Sequence, residues 1–439
     1  MGTSDRAAAH AGASVIGLVG LGYVGLPLAA AFVRAGHQVI GIDTDETKIR
    51  KLNAGISYIP DVNGSVVGQA VEAGMLRGAT DFAALAVADA IVVCVPTPLT
   101  EERTPDLSHL SDACERIRPH LKPGQLIVVE SSTFPGTTTG IVRPILEQGG
   151  LSAGRDFHLA YSPERIDPGN KQYALHQVPK LVSGVTAACR AKASELYGQV
   201  FDRIVPVPTP EIAETAKLLE NSFRLVNIAF INELALVCDR LKVDIWEVIA
   251  AASTKPYGFM PFYPGPGIGG HCIPVDPLYL QWKAKEAGLE SSFIELSGRI
   301  NASMPAYVAA EVRRLLAPGT TLSGARILVY GVTYKRDVAD LRESSALELI
   351  RLLVEEGADV RFCDPFVASL RLASGLTLTA VEPTAEAIAE ADCVIVHTDH
   401  SVMPAERIAA CAKLVYDTRH AIGGRGTAAQ VVKLGGGSA

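Results

Sequence analysis

The apolar positions of the chain fall into short β-like runs and longer helical stripes that alternate. Residues 14–19 (SVIGLV) read as a buried strand, Tyr23 to Ala35 as a helix closed by Gly36, and QVIGID as a second strand stopping at Asp43. This succession is a βαβ unit. The runs AIVVCV (90–95) and LIVVES (126–131), separated by helical stretches, extend it to a parallel sheet with helices on both faces. From Glu211 the pattern changes, because EIAETAKLLENSFRLVNIAFINELALVCDRL keeps helical periodicity without proline or glycine. It predicts one long helix, suited to act as a spine and a self-association surface. Residues 256–277 (PYGFMPFYPGPGIGGHCIPVDP) then read as a long loop, and long loops inside compact domains are usually functional. The β pattern restarts at ARILVYG (325–331), followed by the helix SALELIRLLVEEG, the strand DVRFCD and the runs DCVIVHT (392–398) and KLVYDT (413–418). The closing GGGSA reads as a flexible tail.

The expected fold class is α/β, with two Rossmann-like doubly wound domains joined by a long-helix central domain. The expected boundaries are 13–208, 209–305 and 320–439.

Composition narrows the picture. A chain of 439 residues has length for about three folding units, and 48% hydrophobic residues exclude a disordered scaffold. The balance of 40 Lys+Arg against 47 Asp+Glu lacks the basic excess that non-specific nucleic-acid binding uses. Eight cysteines stand singly, with no C-x-x-C pair, which favours a reducing cytoplasm. The opening MGTSDRAAAHAGA has no apolar core of an export signal, and no window reaches about 18 uninterrupted apolar residues. Neither a membrane nor a nucleic-acid partner is expected.

Gly20-Leu21-Gly22-Tyr23-Val24-Gly25 is a G-x-G-x-x-G string between a strand and a helix, and Asp43 closes the next strand 18 residues beyond Gly25. The glycines admit a pyrophosphate at the helix N-terminus, and the acid can bond an adenosine ribose hydroxyl. An acid there repels a 2′-phosphate, so NAD is favoured over NADP, with Lys48 nearby as the one contrary sign. On the long helix Lys217 and Asn221 are four apart, with Glu214 a turn earlier. Helical spacing alone is compatible with a solvated face or with a pair that polarises an oxygen during hydride transfer.

Cys272 lies in Gly265-Pro266-Gly267-Ile268-Gly269-Gly270-His271-Cys272, where glycines permit close approach of a ligand, and Asp276 follows four residues later. This arrangement suits a nucleophilic thiol. Cys94, Cys238, Cys363 and Cys393 lie in apolar runs and read as small buried hydrophobes. His271 has no second ligand at metal spacing and reads as structural or substrate-lining, so no metal is expected.

With these residues in place, the chain resembles the UDP-glucose/GDP-mannose dehydrogenase family of nucleotide-sugar 6-dehydrogenases. The motifs run in order: GLVGLGYVGLPLA, CVPTP (94–98), ESSTFPGTT (130–138), YSPER (161–165), AKLLENSF (216–223), GPGIGGHCIPVDP and YKRDVADLRESS (334–345). Within the family, GFMPFYPGPGIGGHCIPVDPLYLQWKA looks most like the branch acting on UDP-N-acetylhexosamines. The resemblance implies oxidation of a sugar C6 alcohol to the acid with two NAD per sugar, through a Cys272 thiohemiacetal and thioester. It implies that Lys217 and Asn221 stabilise the oxyanion, that Asp276 assists proton movement, that Thr133 positions the hydrolytic water and that Glu164 serves thioester hydrolysis.

The resemblance also sorts the binding residues. Gly20, Gly22, Tyr23, Val24, Gly25, Asp43, Lys48, Thr97 and Thr133 are expected at the cofactor. Glu164, Arg165, Lys217, Asn221, Tyr263, Gly269, Lys335 and Arg342 are expected at the nucleotide sugar. For Lys335 and Arg342 the bland alternative is surface pairing with Asp337 or Glu343. UDP-glucose-specific relatives carry Lys where this chain has Val275 and a basic residue near Tyr263, so UDP-N-acetylglucosamine leads over UDP-glucose, UDP-N-acetylmannosamine and dTDP-glucose. A two-electron hydroxyacid dehydrogenase would share Lys217 and Asn221 but not need Cys272. A non-catalytic NAD-sensing protein would need neither. A homodimer through the long helix is the expected assembly.

Overall fold

Every residue of the strand Ala90–Val93 is buried, and its alternate side chains enter two different cores. Ala90 and Val92 pack in one layer, Ile91 and Val93 in the other, and Leu126–Val129 repeats the division. An apolar run without polar alternation therefore makes a central strand covered on both faces. The structure, a computed structural model, describes residues 14–59, 62–165, 172–270, 272–316, 321–423 and 428–437. It divides at Leu219 into two compact units.

The first unit is built on eight strands: β1 (Val15–Val19), β2 (Gln38–Ile42), β3 (Leu76–Ala79), β4 (Ala90–Val93), β5 (Leu126–Val129), β6 (His158–Tyr161), β7 (Lys180–Gly184) and β8 (Ile204–Pro206). Their order across the sheet is β3-β2-β1-β4-β5-β6-β7-β8. The chain reverses its direction of travel between β1 and β4, where ligands of doubly wound sheets bind beyond the strand ends. The sheet is mixed rather than wholly parallel, because β7 runs antiparallel to β6.

The predicted long helix is Pro210–Leu241, 32 residues, with Pro210 at its head where a missing N–H costs nothing. In the second unit it is followed by helices Ile245–Ala252, Cys272–Glu286 and Ser292–Leu315. A parallel sheet of β9 (Arg326–Tyr330), β10 (Asp359–Cys363), β13 (Cys393–Val396), β14 (Leu414–Asp417) and β15 (Gln430–Lys433) comes after them, in the order β10-β9-β13-β14-β15. A small antiparallel hairpin, β11 (Ser369–Arg371) and β12 (Thr377–Thr379), stands apart. Among the described residues no helix is long and apolar enough to cross a membrane.

Three expectations need correction. The 256–277 loop ends early, since a helix begins at Cys272 and contains Pro277. Pro274 is tolerated there because the first turn of a helix has no intrahelical donors to lose. The glycine tail is fastened down: Asp239 accepts from the amides of Gly435 and Gly437, each at 3.1 Å, and from the Tyr307 hydroxyl at 2.6 Å. Trp246 Nε1 bonds the Leu434 carbonyl at 2.9 Å, and Lys433 pairs with Asp244. Cys94 is half-buried, not sealed, whereas Cys238, Cys363 and Cys393 are buried as expected. His271 and the opening residues 1–13 lie outside the described residues.

Candidate active site

In the first unit the glycine string makes a turn that only glycine can make. Gly20 has φ of +92°, and a Cβ on Gly25 would stand 1.8 Å from the Gly20 carbonyl oxygen. The helix Gly25–Arg34 starts there without any side-chain cap, with Tyr23 and Val24 half-buried at its head and open space around Gly22. Asp43, just past β2, accepts from the Leu21 amide at 3.0 Å and the Asp45 amide at 3.0 Å. Its oxygens still have lone pairs for a ribose hydroxyl. Lys48 Nζ lies 3.2 Å from Asp43, so the cation read as a sign of 2′-phosphate is engaged with the acid. Tyr58, which the sequence did not single out, donates to the Leu21 carbonyl at 3.0 Å. Burial, then Asp43 and Asp45, push its phenol up.

The loops after β4 and β5 are stitched together beside that turn. Thr97 donates to the Ser132 carbonyl and Ser131 to the Val95 carbonyl, each at 2.7 Å. Thr133 is fully buried, and its hydroxyl has no hydrogen-bond partner among the described residues. A buried polar atom without a partner costs free energy, so Thr133 is built to meet a ligand or a water. The open turn, the oriented Asp43 and the Thr133 hydroxyl fit a bound dinucleotide.

Glu214 and Lys217 lie on the long helix and are 0% and 7% exposed, and Asn221 is 5% exposed. The solvated face allowed by the spacing is overturned. Glu214 accepts from the Gly136 amide at 2.7 Å and from the amide and hydroxyl of Thr138 at 2.9 and 2.7 Å, closing the ESSTFPGTT loop. Burial raises its carboxyl despite those three donors. Lys217 has no hydrogen-bond or ion-pair partner among the described residues. An ammonium carried by a largely buried side chain and left without an anionic partner is available to an oxyanion. Glu164 and Arg165 follow β6: Glu164 lies 3.7 Å from Lys180 Nζ, and Arg165 donates to the Pro179 carbonyl at 2.8 Å.

In the second unit Asn221 donates to Asp276 Oδ2 at 2.6 Å. Asp276 is one turn along the helix that Cys272 begins, and it is fully buried. The glycine-rich loop before Cys272 hangs on a chain of amides: Asn301 accepts from Asn232 at 2.9 Å, and Asn232 accepts from the Gly265 amide at 2.9 Å. At its other end the Gly270 amide bonds the Arg342 carbonyl at 2.9 Å. A Cβ on Gly269 would stand 2.6 Å from Tyr334, and Gly270 has φ of +78° with the Tyr334 ring equally near. Backbone, Tyr334 and the segment carrying Lys335 and Arg342 are thereby held together.

Arg342 pairs with the neighbouring acid Asp340. It grips Asp340, at 2.6 and 2.9 Å from one carboxylate oxygen and 3.1 Å from the other. Asp337 instead serves Ser401 and Arg336. Lys335 is half-buried and its carbonyl accepts from Thr333. Tyr263 is 58% exposed and stacks on Trp246, which also stacks with His420.

Arg419 was missed. Its Nε donates to the His397 carbonyl at 2.8 Å, and its guanidinium lies where a Cβ on Gly265 would come within 2.5 Å. Burial lowers its pKa despite Asp399 and Asp417 nearby. Nothing around DTRHA marked it, because it reaches the glycine loop only through the fold.

The UDP-glucose/GDP-mannose dehydrogenase family matches the chain in three parts: its NAD binding domain over residues 14–201, its central domain over 211–303 and its UDP binding domain over 328–424. The chain is similar to the UDP-N-acetyl-D-glucosamine 6-dehydrogenase of Pseudomonas aeruginosa, 36% identical over 92% of this chain and 96% of that one. It is also similar to the UDP-N-acetyl-D-mannosamine dehydrogenase of Escherichia coli K12, 36% identical over 88% and 94%. Among solved structures, the UDP-D-ManNAc dehydrogenase of Pyrococcus horikoshii has a TM-score of 0.85 at 31% identity, covering 97% of this chain and all of that one.

Proposed function

Because the chain belongs to the UDP-glucose/GDP-mannose dehydrogenase family of NAD-dependent enzymes, we propose that it oxidises the C6 alcohol of a UDP-N-acetylhexosamine, first of all UDP-N-acetylglucosamine, to the uronic acid. The observation that carries a four-electron reaction is Cys272 at the head of a helix whose next turn holds Asp276, fixed by Asn221. A simple alcohol oxidation has no use for a thiol there, whereas the positive end of a helix favours a thiolate.

The balance is RCH2OH + 2 NAD⁺ + H2O → RCOO⁻ + 2 NADH + 3 H⁺. Bound NAD supplies the hydride acceptor for each oxidation. Lys217 and the second N–H of Asn221 are the donors for the C6 oxygen as it gains negative charge. Cys272 Sγ adds to the aldehyde carbon, and loss of the second hydride leaves a thioester. Water oriented by Thr133 then adds to the acyl carbon, Glu164 takes its proton, and the C–S bond breaks to return the thiolate. Asp276 accepts the C6 hydroxyl proton in the first oxidation and, after releasing it to solvent, the thiohemiacetal proton in the second.

Glu164, Arg165, Tyr263, Gly269, Lys335 and Arg342 are assigned to the nucleotide sugar, and Asp43, Thr97 and the glycine turn to NAD. Val275, buried in the Cys272 helix, supports a sugar without the polar contact that a lysine would make. UDP-N-acetylmannosamine, the C2 epimer, is the second reading, favoured by the Escherichia coli relative at equal identity.

The assembly proposed is a homodimer through the long helix. Phe223, Phe230 and Val237 recur every seven residues on it and are exposed, a seam that a second copy would cover.

The deciding experiment titrates limiting UDP-N-acetylglucosamine, UDP-N-acetylmannosamine, UDP-glucose and dTDP-glucose against excess NAD. Two NADH per UDP-N-acetylglucosamine is expected. One NADH per sugar would overturn the thioester route, and turnover of another sugar alone would overturn the substrate.

A further inference from the structure

The first unit holds a buried charge cluster that the chemistry above leaves unused. Lys180 opens β7 and is 2% exposed. Its ammonium lies 2.8 Å from Glu130 Oε2, just past β5, and 3.7 Å from Glu164 Oε2, and it donates to the Pro163 carbonyl at 3.4 Å. The rings of Tyr197 and Phe201 stand 5.1 and 5.3 Å from it. Tyr197 donates its hydroxyl to the other oxygen of Glu130, which is 1% exposed.

Two carboxylates and one ammonium make an expensive thing to bury, and well-packed apolar side chains would stabilise the unit as well or better. The cluster therefore points to a task other than stability. Lys180 stands at ion-pair distance from the end of the Glu164 side chain and donates to the carbonyl of the residue before it. The ammonium therefore attracts the Glu164 carboxylate from a point fixed against its own backbone.

We propose that Lys180 is a positioning residue for Glu164: anchored by Glu130, its ammonium fixes the orientation of the Glu164 carboxylate for thioester hydrolysis. The inference rests on the reading of Glu164 as the base of that step. Among the described residues, Lys180 shares this cluster with Glu130, Cys94 and Tyr197. Burial pushes the Cys94 thiol and the Tyr197 phenol well up, so both stay neutral near pH 7. Burial also raises the Glu130 carboxyl to about 7 against the pull of Lys180.

The test uses Lys180→Met, Glu130→Gln, Glu164→Gln and the Glu130→Gln/Lys180→Met pair in the full chain, with whichever UDP-N-acetylhexosamine the wild type oxidises. Three readouts are taken: the rapid NADH burst, the steady-state kcat, and the intact mass of the Cys272 acyl-enzyme. Lys180→Met should keep the burst, lose about 100-fold in steady-state rate and accumulate acyl-enzyme, as Glu164→Gln should. Glu130→Gln, which takes away the anchor of the ammonium, should slow hydrolysis in the same sense. A full burst beside slow hydrolysis would not arise from loosened packing, which would slow both oxidations as well.

A wild-type rate in folded Lys180→Met, beside a slow Glu164→Gln, would overturn the inference while leaving the reading of Glu164 intact. Loss of the burst together with the steady-state rate in Lys180→Met would also overturn it. Unimpaired hydrolysis in Glu164→Gln would remove the premise and the inference together. If Lys180→Met does not fold, the neutral pair replaces it: slow hydrolysis after a full burst supports the clamp, and wild-type hydrolysis refutes it.

Discussion

Asn221 reaches across 55 residues of sequence to donate to Asp276 Oδ2 at 2.6 Å, and both side chains are nearly sealed from water. Asn221→Ala leaves a buried carboxylate short of a donor, a loss of about 1–3 kcal/mol. Thermal melting should show that destabilisation, and kcat should fall about 100-fold, since one oxyanion donor goes with it. A stability loss with unchanged kcat would make the pair purely structural.

Replacing Cys272 separates the two oxidations. Cys272→Ala should produce no acid above about one-thousandth of the wild-type rate, with NAD affinity unchanged by calorimetry. Acid formation at wild-type speed would remove the covalent route.

Gly270 carries φ of +78° with the Tyr334 ring where a Cβ would go. Gly270→Ala should cost about 1–3 kcal/mol from the backbone conformation alone and push Tyr334 and the loop apart. KM for the nucleotide sugar should rise at least about tenfold, the equivalent of 1.4 kcal/mol, while KM for NAD stays put. Equal changes in both constants would argue against a sugar-specific loop.

The second unit should have an acid-sensitive joint at Asp364. Burial alone would raise this carboxyl, but His400 Nε2 at 3.1 Å and the amides of Val332 and Phe366 outweigh it and hold it below the ordinary 3.8. Below 3.8 the unfolded chain therefore binds more protons than the folded one. This contribution is complete above about pH 5 and is lost as pH falls. Asp364→Asn should lower Tm at neutral pH by a few degrees and flatten its decline between about pH 5 and 3. An unchanged decline would place the acid sensitivity elsewhere.

Phe230 is 60% exposed near the middle of the long helix. Phe230→Asp should convert a dimer to monomer by sedimentation at micromolar concentration, because a charge buried in an apolar seam is left unpaired. No change in mass would move the interface off this helix.

Much of this architecture was legible because it rests on local patterning. Ile91 and Val93 lie in an unbroken apolar run, and a run of that kind has one destination, a strand covered on both sides. The glycine turn was legible because the positive φ of Gly20 and the close approach at Gly25 leave no room for a side chain. Burial of Glu214, Lys217 and Asn221 was not, since helical spacing reports which residues share a face and not what covers it. Arg419, Lys180 and Glu130 escaped for a related reason: a single charge in a strand or turn looks ordinary until distant segments close around it. The antiparallel β7 and the helix beginning at Cys272 were missed because proline and glycine mark interruptions without saying where order resumes.

The bonds from Gly435 and Gly437 to Asp239 span 196 and 198 residues of chain. At about 5–20 residues per second of synthesis, Asp239 is made some 10–40 seconds before the amides that satisfy it. Throughout that interval the carboxylate at the end of the long helix has at most the Tyr307 hydroxyl and water to meet it, and the apolar seam beside it stays open to other chains. Production yield, more than the stability of the finished enzyme, is where a change at Asp239 would be felt first.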